Sequence, residues 1–399
     1  MTVDVVSKNE CTGCQACQNV CPFDAIVFKP DNEGFYIPEV ITSRCINCGR
    51  CYNVCPVNVD YRREIAEENY IVRLKDRRTL KKSASGGAFV GIANFLLEQK
   101  DTVVVGASLC EDLVVRHVMI NSRKDIDKLQ NSKYVQSYIG NTYMQVKEKL
   151  KVGQTVFFTG TPCQIAGLYA TLSKKEITNL YTADIVCHGV PSPAFLKRQF
   201  EEDSKTAQGC IKNCRFRFKN PNFESYSTFF MFLLMEHGLP IVRRTIQDPY
   251  YNLFMKGMNF RESCYKCKYA NLYRVGDFTL GDCDSREFYN FFYPNQSNSI
   301  LLLNSDKAKQ LWKNGLNMEY EFCTLDLNRE AIYNHQLNHP SKRCFERDGI
   351  YNELLYSDWG FVKEKYAKPQ KKYERIKLLA LLYTPQSFLR VLSRIGKWK

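Results

Sequence analysis

The chain has 399 residues, 44% apolar and 25% charged, which is enough for two or three domains with substantial cores. Its 56 Lys and Arg against 42 Asp and Glu leave a formal charge of +14, but Lys363–Lys399 alone holds eleven basic and two acidic residues. The rest carries only +5, so nucleic acid is not the expected partner.

Eighteen cysteines follow an opening, MTVDVVSKNE, that lacks a basic-then-apolar leader, which favours metal ligation in a reducing compartment over a disulfide framework. No run of about 18 apolar residues occurs, so the expectation is a cytoplasmic chain without a membrane-spanning helix.

In chain order, the first chemistry is CTGCQACQNVCP at 11–22, repeated as CINCGRCYNVCP at 45–56. C-x2-C-x2-C-x3-C-P is the rhythm that wraps a [4Fe-4S] cubane, with the fourth ligand supplied by the other run. Cys11, Cys14, Cys17 and Cys55 are assigned to one cluster, and Cys45, Cys48, Cys51 and Cys21 to the second. Pro22 and Pro56 turn the chain after each crossing ligand, and Gly13 and Gly49 admit close backbone approach. Zinc also takes C-x2-C pairs, but it has no need of a third cysteine two residues on. Residues 1–62 therefore read as a two-cluster ferredoxin-type domain.

Beyond a charged connector, a strand is expected at Tyr70–Leu74 and a helix after KKSASGG, where Phe89, Ile92, Phe95 and Leu96 fall at helical spacing. DTVVVGASL, QTVFFTG and YTADIVCHG read as buried strands. The alternation predicts a larger α/β domain at 66–345 with functional groups gathered at strand ends, followed by a basic helical tail at 346–399.

Four stretches of this body can carry chemistry. SASGG, 83–87, is either an ordinary helix cap or a seat for a phosphate-bearing cofactor. NSKYVQS, 131–137, is either a plain loop or a holder of a cofactor ring and its charge. Cys163, in the Gly-Thr-Pro-Cys turn after a strand, is either a packing residue or a ligand. Cys264 and Cys267 form a further C-x2-C pair, and with Cys163 and Cys187 they make four thiols at strand ends. A third cluster, a zinc site, and unrelated buried cysteines all remain open at this point.

SASGGAF, NSKYVQS, TGTPCQIAGL, DIVCHGVPSP and RESCYKCKYA…GDFTLGD, in this order over about residues 70–345, resemble the coenzyme F-420 hydrogenase/dehydrogenase beta-subunit family. That resemblance implies an FAD-binding α/β domain with its own [4Fe-4S] cluster, ligated here by Cys163, Cys187, Cys264 and Cys267. It also implies flavin contacts from Ser85, Gly86, Gly87, Lys133, Tyr134, Gln136, Thr161 and Gln164. After LGD the family often continues with an aromatic residue and glycine, whereas this chain has Cys283, Asp284 and Ser285. The substrate is therefore not inherited, and Cys283 competes as a cluster ligand.

The parts predict an iron–sulfur flavoprotein oxidoreductase working between a ferredoxin-type redox partner and an organic substrate or deazaflavin, with His188 as candidate proton donor. The alternatives are an electron-transfer subunit of a larger complex with no substrate of its own, and a zinc-stabilised binding protein. In the tail, Ile376, Leu379 and Leu382 and then Phe388, Val391, Leu392 and Ile395 mark two amphipathic patterns around Thr384-Pro385. These suit a peripheral contact with the inner membrane face, packing on the body, or an acidic protein partner.

Overall fold

The computed structural model describes residues 1–59, 61, 64–219, 230–289 and 297–384. The two cysteine runs form the same short loop twice, each closing on one helical turn, α1 at Ala16–Asn19 and α2 at Arg50–Asn53. The backbone takes positive φ at matching places, Gly13 and Gln15 in the first run and Asn47 and Gly49 in the second. Between the runs lies a hairpin of β1 (Ile26–Pro30) and β2 (Tyr36–Val40).

The body is built on an eight-stranded mixed sheet. Its strands are β3 (Glu68–Leu74), β4 (Thr102–Leu109), β5 (Val115–Ile120), β6 (Thr155–Gly160) and β7 (Leu180–Ile185), followed after an insertion by three more. The insertion is an antiparallel sheet of β8 (Ile211–Arg215), β9 (Phe230–Met235) and β10 (Ile241–Arg244). The main sheet then resumes with β11 (Phe278–Asp282), β12 (Ser299–Leu303) and β13 (Tyr320–Thr324), in spatial order β13-β3-β12-β11-β7-β6-β4-β5. Its centre, β11-β7-β6-β4, is parallel, and the flanking pairs are antiparallel.

Parallel strands are covered on both faces, which is why Val103–Val105 and Val156–Phe158 read as unbroken apolar runs. One face packs under α3 (Ala88–Leu97) through Val90, Ala93 and Leu96. The other packs under α4 (Thr142–Lys151) and α5 (Pro162–Thr171), and there Cys14 and Ala16 of the first cysteine run share a core with Phe158, Ile165 and Leu168.

A third core joins α6 (Pro193–Ala207), α7 (Pro249–Met255) and the small sheet. It also takes in α8 (Ile350–Tyr356) and α9 (Trp359–Tyr366), through Tyr351, Leu354, Trp359 and Val362. Residues 350–366, expected as part of the basic helical tail at 346–399, are thus packed into the body. Ile350, Tyr351 and Leu354, then Trp359 and Val362, fall at helical spacing, and the aromatic bulk of Tyr351 and Trp359 adds large buried area.

From the tail itself, α10 (Lys372–Tyr383) leaves Tyr373, Ile376 and Tyr383 exposed. The second pattern, Phe388 to Ile395, lies outside the described residues. Among the described residues no helix is long and apolar enough to cross a membrane.

Candidate functional site

The two cysteine runs enclose two cavities. One is lined by Cys21, Cys45, Cys48 and Cys51, with Phe23, Ile26, Val40 and Ile46 as its apolar wall. The other is lined by Cys11, Cys14, Cys17 and Cys55 together with Val3, Val6, Phe28 and Pro38. Each cavity takes three thiols from one run and one from the other. Among the described residues no three His, Cys, Asp or Glu side chains meet tightly enough for one ion. Four thiols spread around one largely apolar-lined space are the donor arrangement of a multi-iron cluster, and the residues present fit one in each cavity. Burial pushes the Cys14, Cys17, Cys51 and Cys55 thiols up, and the neighbouring sulfurs add to the rise. Such thiols favour a cationic partner over a bare thiolate.

The first run is also the docking face. Gln15 Oε1 accepts from the amides of Ile139 and Gly140, both at 2.7 Å, and this anchor holds Gln15 in the left-handed region. Asn19 donates to the Gly140 carbonyl at 2.8 Å. At Gly34, φ is +79° and a Cβ would fall 2.2 Å from Ala194 Cβ, so only glycine lets the hairpin turn press on α6.

At the strand ends of the parallel centre, Cys163 opens α5 after β6 and Cys187 follows β7. Cys264 and Cys267 sit on the turn Glu262–Lys266 and its end. Burial raises Cys187, and its charge neighbours are Cys264, Cys163 and Cys267, so the four thiols form one group. Burial likewise pushes Cys163 up to about 11 and Cys264 up to about 12. Cys283 is elsewhere: its Sγ lies 3.8 Å from Glu330 Oε2 in a separate core with Ile71 and Ile300. The Glu330 carboxylate also accepts from the amides of Asp284 and Ser285, at 2.9 and 3.0 Å. It holds the loop where this chain departs from the family pattern. Beneath the thiols, the fully buried Arg274–Asp184 pair at 2.7 Å ties the Gly276 loop to β7.

The turn carrying Cys163 is braced from behind. Thr161 and Gln164 form a reciprocal cap, and the Thr161 hydroxyl lies 3.1 Å from Cys163 Sγ. Gln164 Nε2 donates to Ser137 Oγ at 3.0 Å, and Ser137 Oγ reaches His117 Nδ1 at 3.1 Å. His117 Nε2 donates to the Thr159 carbonyl at 2.9 Å. Burial pushes this histidine down to about 4, so it stays neutral.

The residues expected at the flavin separate into two places. Ser85, Gly86, Gly87 and Lys133 surround one loop. Ser85 Oγ donates to the Asn298 carbonyl, and the Gly86 amide donates to Ser299 Oγ at 2.8 Å. A Cβ at Gly86 would fall 2.4 Å from the Ser299 nitrogen and the Val72 oxygen, so this glycine serves packing against β3 and β12. Lys133 Nζ donates to the carbonyls of Leu129 and Gln130 at 2.9 and 2.7 Å. Lys219 Nζ donates to the Ser85 carbonyl at 2.9 Å on the other side of the loop. Burial brings both ammonium groups down to about 7. Nearby, the buried amide oxygens Gln130 Oε1, Asn131 Oδ1 and Asn298 Oδ1 have no partner among the described residues.

Tyr134 stacks on Phe254 at 4.1 Å and bridges toward His188, whose ring is 6.3 Å from Phe254. Gln136, Thr161 and Gln164, by contrast, lie with the thiols. Gln136 Oε1 accepts from Arg261 at 2.9 Å and its Nε2 donates to the Gly13 carbonyl at 3.4 Å, so its side chain is spent on docking.

Sequence reasoning missed Arg217 and Lys219, and it gave no role to Asp282 or Asp284, although both lie in or beside the GDFTLGD motif. Arg217 pairs with Asp282, and both face His188 electrostatically. Burial, with Asp282 and Glu330 adding repulsion, pushes the Asp284 carboxyl up to about 6. Arg217 and Lys219 sit in FRFK, whose alternation reads as strand, so no signal marked them.

Residues 153–326 match the family described as the C terminus of the coenzyme F420 hydrogenase/dehydrogenase beta subunit. Residues 10–59 match the 4Fe-4S dicluster domain. No curated protein matches. A solved structure titled as a xenon derivatization of the F420-reducing [NiFe] hydrogenase complex from Methanosarcina barkeri is similar at 17% identity and a TM-score of 0.46. That alignment covers 78% of this chain and 97% of the other. By these matches residues 10–59 are similar to a 4Fe-4S dicluster domain, and residues 153–326 are similar to the C terminus of the coenzyme F420 hydrogenase/dehydrogenase beta subunit.

Proposed function

We propose that the chain is an iron–sulfur flavoprotein oxidoreductase that exchanges electrons with a ferredoxin-type carrier and reduces or oxidises an organic molecule or deazaflavin. The carrying observation is the pair of cavities, each lined by four cysteines with one borrowed from the other run. Cys11, Cys14, Cys17 and Cys55 hold one [4Fe-4S] cluster, and Cys45, Cys48, Cys51 and Cys21 hold the other. Cys163, Cys187, Cys264 and Cys267 hold a third.

FAD is assigned to the loop at Ser85–Gly87. The buried ammonium groups of Lys133 and Lys219 suit its diphosphate, and the unpartnered amide oxygens of Gln130, Asn131 and Asn298 suit its N–H and hydroxyl donors. When bound, the flavin supplies the change from one-electron to two-electron chemistry. The chain's own part is to orient it and exclude water, with Tyr134 and Phe254 as an apolar wall and His188 as proton donor at the pocket edge. We place the protein in the cytoplasm, with the basic tail available for a peripheral membrane contact.

A second reading, an electron-transfer subunit with no substrate of its own, is favoured by the beta-subunit description of the matched family. Protein purified without oxygen, assayed for iron, acid-labile sulfide and released flavin, tests the proposal. About twelve irons and one FAD per chain support it. About eight irons without flavin, even after reconstitution, leave a two-cluster carrier, and zinc without sulfide overturns both readings. Stable copurification with a partner protein selects the second.

A further inference from the structure

The two cysteine runs are alike in spacing, but the fold treats them unequally. The second faces outward: Cys48 is exposed, and Ile46 beside it is 62% exposed. The first is sunk into the body. Helix α5 carries Cys163 in its first turn and Gly167 one turn later, on the same face. A Cβ at Gly167 would lie 3.2 Å from both Cβ and Sγ of Cys14, and 3.3 Å from the Tyr143 hydroxyl. Gly167 has no positive φ to accommodate, so the backbone does not call for glycine there. The approach of Cys14 does.

A second link runs through the other cysteine-bearing turn. Arg261, almost wholly buried, donates to the Cys11 carbonyl at 3.0 Å and to the Tyr36 carbonyl at 2.7 Å. Ser263 Oγ donates to the same Cys11 carbonyl at 3.1 Å, and the next residue is Cys264. One turn therefore grips the first run and carries two thiols of the body's set.

We propose that Gly167 and Arg261 are positioning residues that set the Cys11/Cys14/Cys17/Cys55 centre against the Cys163/Cys187/Cys264/Cys267 centre. Cys14 and Cys163 become the facing ligands, and the Cys45/Cys48/Cys51/Cys21 centre becomes the outward terminal. This order rests on the third iron–sulfur centre proposed above.

Full-length protein, purified without oxygen and reduced with dithionite, is read by electron paramagnetic resonance, with iron and sulfide counted on the same samples. The wild type is expected to show the body's centre broadened and fast-relaxing through a paramagnetic neighbour. Gly167→Val is expected to keep wild-type iron while the broadening of that signal weakens and its relaxation slows. Should Gly167→Val not fold, Cys163→Ser decides: it loses about four irons, and relaxation slows in one of the two remaining signals. Wild-type iron near twelve with no change in coupling in either variant overturns the inference alone. Iron near eight in the wild type overturns it together with the third centre.

Discussion

Glu33, on the hairpin between the cysteine runs, meets Arg347 of the body in a two-pronged pair at 2.7 and 2.5 Å. The arginine is 1% exposed and also donates to the Phe260 carbonyl at 2.9 Å, whereas Glu33 is one-third exposed. Glu262 Oε1 stands 3.5 Å from the same guanidinium, so the arginine keeps one carboxylate when the other is removed. Glu33→Gln is expected to lower stability by about 1 kcal/mol and to loosen the dicluster domain from the body. Chemical denaturation and limited proteolysis check this, and an unchanged midpoint with unchanged cleavage would sink it.

The Thr161 hydroxyl beside Cys163 predicts a redox effect. A proton donated to a ligating sulfur stabilises the more negative, reduced state and so raises the potential. With Cys163 as a ligand of the proposed third centre, Thr161→Val should shift that centre to more negative potential by an amount on the order of tens of millivolts, with Thr161→Ser restoring it. A redox titration followed spectroscopically decides, and a positive shift in the valine variant would contradict the assignment.

Lys133 and Lys219 predict a pH dependence. Burial has lowered both from 10.5 to about 7. Between these values the unfolded chain binds protons that the folded chain does not, so the flavin-free protein should gain stability as pH rises from about 7 to about 10. Below that window the burial penalty is felt in full. Lys219→Met should therefore stabilise the flavin-free protein at about pH 6 more than at about pH 10, while weakening FAD binding at the lower pH. Equal stabilisation at both would show that the lysine is not the titrating group.

At the outward end, Ile46 offers apolar contact next to the exposed Cys48. Ile46→Asp should slow electron exchange with a reduced ferredoxin-type carrier by about tenfold. Reduction by dithionite should be unchanged. Equal rates with the protein carrier in both forms would move the docking face elsewhere.

What could be read from sequence divides along physical lines. The grouping of Cys21 with the second run and of Cys55 with the first follows from spacing, because a cubane imposes its own geometry on any chain that wraps it. Three of the four parallel strands were legible because burial on both faces leaves a largely apolar run, whereas β11, in FTLGD, was not read as a strand. Strand β12, though just as apolar, pairs antiparallel with both neighbours, and nothing in SILLL encodes direction. Gln136 lies in a motif that resemblance assigned to the flavin, yet its amide bridges Arg261 and Gly13. That role depends on a domain about 120 residues away in the chain. Glu330 was invisible for the same reason, since it meets Asp284 and Ser285 only after the fold closes.

The exchange of one cysteine between the two runs has a further consequence. Neither cavity has a complete set of thiols until both runs are in place, so half of the domain made alone has nowhere to keep even one cluster. On the proposed ligand sets, a cluster in either cavity would pin both runs at once, so the outer site, where Cys48 is exposed, and the buried one would each stiffen the other.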